Sequence, residues 1–120
     1  MPAAVPSYEE ALAEFQVVYG EAADEHWRSL LYLLTNVSSL WRLRPCVDFS
    51  RAEIDIGRWK EATAGMSHGE QLLAQAALHL FNDEHPAPAL SALVTVLDDT
   101  AWRIFCLALH VRRYGSLPGR

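Results

Sequence analysis

The stretch 103–113, RIFCLALHVRR, constrains the fold more than any other part of the chain. Seven of its eleven residues are apolar, and on a helix they run almost all the way round. Trp102, Phe105 and Leu109 make one apolar face, and Ile104, Leu107, Ala108 and Val111 make another. A helix that is apolar on most sides needs neighbours on most sides, so it belongs near the middle of a bundle. At 100° per residue, Asp99, Arg103, Cys106, His110 and Arg113 share a sector of about 80°. That sector is the helix's polar strip, with Asp99 and Arg103 spaced to pair at i, i+4.

The rest of the sequence supplies such neighbours. A chain of 120 residues suits one domain and buries roughly 65% of its unfolded surface. Half the residues are apolar, and Leu and Ala dominate over Pro and Gly, which favours helix. Ser7 with Glu10 has capping-box spacing and opens a helix whose stripe is Tyr8, Leu12, Phe15 and Tyr19; Gly20 closes it. Asp24 is placed to cap a second helix with Trp27, Leu30, Leu31 and Leu34 inside. A short helical turn around Leu40, Trp41 and Leu43 runs up to Pro45. Over 46–66 the pattern is ambiguous. Ser50 and Glu53 again have capping-box spacing, whereas Ile54, Ile56, Gly57 and Trp59 fit a short helix or an extended piece. Ser67 with Glu70 opens a further helix with Leu73, Ala76, Ala77, Leu80 and Phe81 as its stripe. Pro86 and Pro88 lead into a short helix carrying Leu90, Leu93, Val94 and Leu97, and Asp98 caps the last helix, which Gly115 stops.

The expected fold is therefore all-α. It is a compact single-domain bundle of five or six helices, with the helix over 100–114 largely buried and residues 1–6 and 115–120 as flexible ends. No strand pattern of any length is visible. The N-terminus lacks the basic and apolar regions of a signal peptide, and no apolar run reaches the ~20 residues a membrane span needs. Cys46 and Cys106 are too few for a disulfide scaffold and read as reduced thiols, Cys106 in the core. A cytoplasmic protein without cofactor is expected.

Two residue sets bear on function. The net charge is −5, and all of it lies in residues 1–41, where six acids face only Arg28; residues 42–120 balance. Such a chain lacks the basic footprint of a general nucleic-acid binder. Glu10, Glu14 and Glu21 lie opposite the apolar stripe of the first helix, where an acidic face can steer and hold a basic protein partner. The second set is on the last helix. Arg103 and His110, with six residues between them, have a spacing similar to that of the HEPN ribonucleases, small helical bundles whose motif is usually paired across a dimer. That resemblance implies His110 as general acid or base and Arg103 as the phosphate-holding cation. A polar residue usually follows the arginine in that family; here it is Ile104. The other reading of the strip is a solvent-facing edge, with its arginines suited to the negative end of the helix dipole.

His79 and Asp83 stand at i, i+4 with His85 close by, a spacing that suits a metal, although further ligands would have to come from distant His26 or His68. No phosphate-binding glycine loop, Cys-x-x-Cys pair or nucleophile elbow occurs. Finally, DEHWRSLLYLLTN (24–36) and QAALHLFND (75–83), with Trp59 between them, resemble uncharacterised short helical proteins of phages and mobile elements. The resemblance implies a mobile-element origin and a helical fold, and no activity. The leading expectation is a non-enzymatic protein-binding module acting on host defence or nucleic-acid machinery, homodimeric or not. A HEPN-like ribonuclease or a toxin-type component is the alternative.

Overall fold

Five consecutive apolar residues, Leu30 to Leu34 in the run LLYLL, leave a helix no polar side to turn outward, so it must be surrounded. In the computed structural model, which describes residues 4–119, this is the helix at the centre. Helix α2 (Glu25–Asn36) is capped by the Asp24 carboxylate, which accepts from the Trp27 amide at 3.0 Å. It packs against α1 (Tyr8–Tyr19), the 3-10 segment Ser38–Cys46, α4 (His68–Phe81) and α6 (Asp99–Tyr114). Two more helices, α3 (Ile56–Thr63) and α5 (Leu90–Val96), complete an architecture that is 67% helical. The helices number seven with the 3-10 segment among the described residues, against the five or six expected.

The expectation that the C-terminal helix is the buried, central one is corrected. Helix α6 buries Phe105, Ala108 and Val111, while Trp102 and Leu109 stay 38% and 41% exposed. Its inner side lies on α2 and α4, but α5 is only seven residues long and does not cover the flank. Cys106 is exposed and not in the core; Cys46 is the buried cysteine, and burial pushes its thiol above the usual range.

Around α2 the chain ends of the helices are set locally. Ser7 and Glu10 form the reciprocal capping box of α1, and Gly20 closes that helix at φ 92°, a left-handed position open to glycine. Asp98 caps α6, and Gly115 ends it at φ 76°. The Gly115 carbonyl then accepts from Arg28 of α2 at 2.7 Å, and Leu117 packs against the core. Of the ends expected to be flexible, residues 1–3 and 120 lie outside the described residues.

The ambiguous region contains both elements that its pattern allowed. Residues Val47–Asp48 (β1) and Glu53–Ile54 (β2) pair antiparallel, Val47 opposite Ile54. Helix α3 follows, capped by Asp55, with Trp59 2% exposed. Ser50 caps no helix. Its hydroxyl donates to the Asp48 carboxylate at 2.7 Å, which organises the turn that carries Ala52 at φ 54°.

The capping box of α4 carries a pH dependence. Hydrogen bonds from the Ser39 side chain, and then from Ser67, hold the Glu70 carboxyl at about 2 instead of 4.5. Because the folded value is depressed, the stabilisation is complete above the unfolded value and is lost as pH falls from 4.5 towards 2. Glu70→Gln keeps the box geometry and removes this titration. Urea midpoints are expected to fall less steeply for the variant than for the wild type across that acid range. Equal slopes would contradict the assignment.

Trp27 centres the aromatic part of the core. Its ring lies 4.8 Å from Phe15 of α1, 4.9 Å from Phe81 of α4 and 6.1 Å from Phe49 in the hairpin turn, while Phe15 and Phe49 are 5.2 Å apart. One side chain thus joins four separate parts of the chain.

Candidate functional site

The outer face of α1 carries the acidic residues. Glu10, Glu14 and Val17 follow at i, i+4 and i+7, and Glu21 stands just past the Gly20 cap. All four are exposed, Val17 to 83%, with Val18 and Tyr19 at 48% and 41% beside it. The three acids are not equivalent. The Glu10 carboxylate accepts from the Ser7 amide at 3.0 Å, which holds it below the usual carboxylate range. Glu14 accepts from the Arg44 guanidinium at 3.2 Å. The same guanidinium lies 3.8 Å over the Phe49 ring and donates to the Val47 carbonyl at 2.8 Å, so Arg44 is fixed on three sides. Glu10 therefore serves its own helix, Glu14 ties α1 to the 3-10 segment, and Glu21 extends into solvent. Sequence reasoning missed Val17. Its position outside the Tyr8–Phe15 stripe was the available signal.

On α6 the expected polar strip is the solvent face. Asp99, Arg103, Cys106 and Arg113 are exposed, and His110 is half-buried with its ring 4.6 Å from Tyr114. Arg103 and His110 lie seven residues apart, about 10.5 Å along the axis, so one chain spreads them over two turns. Beside the strip, Trp102 and Leu109 are 38% and 41% exposed, and on α5 Leu90 and Val94 are 73% and 65% exposed. Leu109 and Leu90 line an apolar groove of about 330 Å³ together with Ala76, Leu80, Leu93 and Phe105.

The His79 cluster does not assemble. The His85 carbonyl can only accept, so the His79 Nδ1–H donates to it at 2.7 Å, and the His79 ring edges the apolar groove. Asp83 lies instead by a shallow depression with Asp24 and His26. Among the described residues no three His, Cys, Asp or Glu side chains are gathered to hold a metal ion. Four of the nine arginines are committed within the fold. Arg28, Arg44, Arg58 and Arg112 each donate to a backbone carbonyl. Among the described residues, no helix is long and apolar enough to cross a membrane.

No known family, no curated protein and no solved structure matches the chain.

Proposed function

We propose that this protein is a non-enzymatic docking module that holds a basic protein partner on the outer face of α1. The observation that carries the reading is Val17, 83% exposed on the helix face that carries Glu10 and Glu14, with Glu21 exposed just past the helix end. An exposed apolar side chain near acids, of which Glu14 is already paired with Arg44 while Glu21 extends into solvent, suits a partner segment that offers cations around an apolar contact. Proteins that handle nucleic acid present such basic surfaces, and they are the partner class that fits. A mobile-element origin, implied by the resemblance of 24–36 and 75–83, belongs to the same proposal.

The placement of the acids refines the test. Reversing Glu10 would open the capping box, and reversing Glu14 would release Arg44. Val17→Lys with Glu21→Lys disturbs neither. Wild type and this double variant are immobilised side by side and offered lysate of the source cell, and bound proteins are identified by mass spectrometry. A basic protein retained by the wild type and lost by the variant, with unchanged helicity and melting temperature, is the expected result. Retention that ignores the substitutions overturns the proposal. RNA cleavage by the wild type that vanishes in His110→Ala would replace it with the ribonuclease reading.

A further inference from the structure

The outward side of α6 carries a pattern beyond the acidic face of α1. Asp99, Trp102, Cys106, Leu109 and Arg113 follow at spacings of three, four, three and four, the repeat that lines one helix face against another helix. By residue type the order reads the same in both directions, apolar residues on either side of Cys106 and a charge seven residues away at each end. The end charges are opposite, Asp99 at the N-terminus and Arg113 at the C-terminus. A surface of this kind complements a copy of itself turned by 180°. Asp99 then meets Arg113 of the other copy at both ends, Trp102 packs on Leu109 across the axis, and Cys106 lies at the centre. Within one chain these two charges cannot pair, since fourteen residues of helix separate them by about 21 Å. Antiparallel helix dipoles add to the same orientation.

The apolar area is in the right place. Trp102 and Leu109 are 38% and 41% exposed, and α5 adds Leu90 and Val94 at 73% and 65%; Leu109 and Leu90 line the groove. Contiguous exposed apolar side chains over a groove mark an interaction surface. A standard interface takes about 10% of a small protein's surface, here ~700 Å² of 6950 Å².

We propose that this face binds a second copy of the chain, forming a two-fold dimer in which the α6 helices run antiparallel across Cys106. The two-fold contact uses α5 and α6 and leaves the α1 face of each copy as it is.

The mass in solution over a concentration series tests this, by light scattering and sedimentation under reducing conditions. Wild type is expected to reach twice the 13.4 kDa chain mass. Leu109→Glu, at an exposed position, is expected to stay monomeric with unchanged helicity. Asp99→Arg and Arg113→Asp each place like charges together at both ends and are expected to weaken the dimer about tenfold or more. Joining the two substitutions in one chain restores opposite charges and is expected to restore the dimer. A monomer at every concentration overturns the proposal. So does a dimer indifferent to Leu109→Glu, charge swaps that fail to compensate, or assembly beyond two copies. Because this readout uses purified protein alone, it is independent of the partner proposed for α1.

Discussion

Trp27→Ala is expected to lower the unfolding free energy by about 3–5 kcal/mol, the range for removing a large buried aromatic side chain. The side chain is 6% exposed and has three ring neighbours, contributed by α1, the hairpin turn and α4. Deleting it leaves a cavity that those elements cannot close without moving apart from their own contacts. Each ring pair also adds about 0.5–1.5 kcal/mol beyond burial, and two of the pairs approach within 5 Å. Domains of this size have about 5–15 kcal/mol in total, so the variant should be close to the edge of folding. Urea unfolding followed by circular dichroism measures the loss. Trp27→Phe, which retains most of the volume, is expected to lose less than half as much. A loss below about 1.5 kcal/mol for Trp27→Ala would mean that the cluster is not the keystone of the core.

Arg28→Met is expected to cost about 2–3 kcal/mol and to loosen the end of α6 before anything else. The guanidinium donates from Nε to the Ala23 carbonyl at 2.7 Å and from a terminal nitrogen to the Gly115 carbonyl at 2.7 Å. Methionine keeps the stem packing and removes both donors, so two half-buried carbonyls lose a charged partner. Lysine keeps the charge but has no planar fork to reach both acceptors, and Arg28→Lys is expected to recover less than half of the loss. Hydrogen exchange locates the effect. Faster exchange at the Val111–Gly115 end, where the Gly115 amide bonds the Val111 carbonyl, is expected at denaturant levels that leave α2 protected. Loss of protection spread evenly over the chain would contradict the local role.

These effects also mark what the sequence could and could not disclose. The helix ends were legible because they are local. Ser7 with Glu10, Asp24, Ser67 with Glu70, Asp98, Gly20 and Gly115 all act as their spacing predicts, within three or four residues of themselves. Ser50 with Glu53 has the same spacing and failed because Asp48, two residues upstream, takes the hydroxyl into a turn. The choice of central helix was not local. LLYLL in α2 is apolar all round and the α6 stretch is apolar on most sides, so both suit a central place, and the packing of α1, the 3-10 segment, α4 and α6 around α2 decides between them. The exposure of Cys106 follows from that one difference. For the candidate site, the outward position of Glu10, Glu14 and Glu21 could be read from period alone. The capture of Glu14 by Arg44 could not, because thirty residues separate them. The groove between α5 and α6 was equally hidden. Leu90 and Val94 read as core from their types, yet they face out because Leu93 and Leu97 take the inner side of a helix too short to bury both.

The central claim is that the α1 face holds a basic partner through charge and an apolar contact together. The salt dependence of that binding tests it most directly. With the captured partner purified, its affinity is measured at low and at high salt for the wild type, for Glu21→Lys and for Val17→Asp. Wild-type affinity is expected to fall as salt rises. Glu21→Lys should weaken binding and flatten that dependence. Val17→Asp should weaken binding about tenfold, 1.4 kcal/mol, while keeping the dependence on salt. An affinity that ignores salt and both substitutions would place the docking surface elsewhere on the molecule and contradict the account.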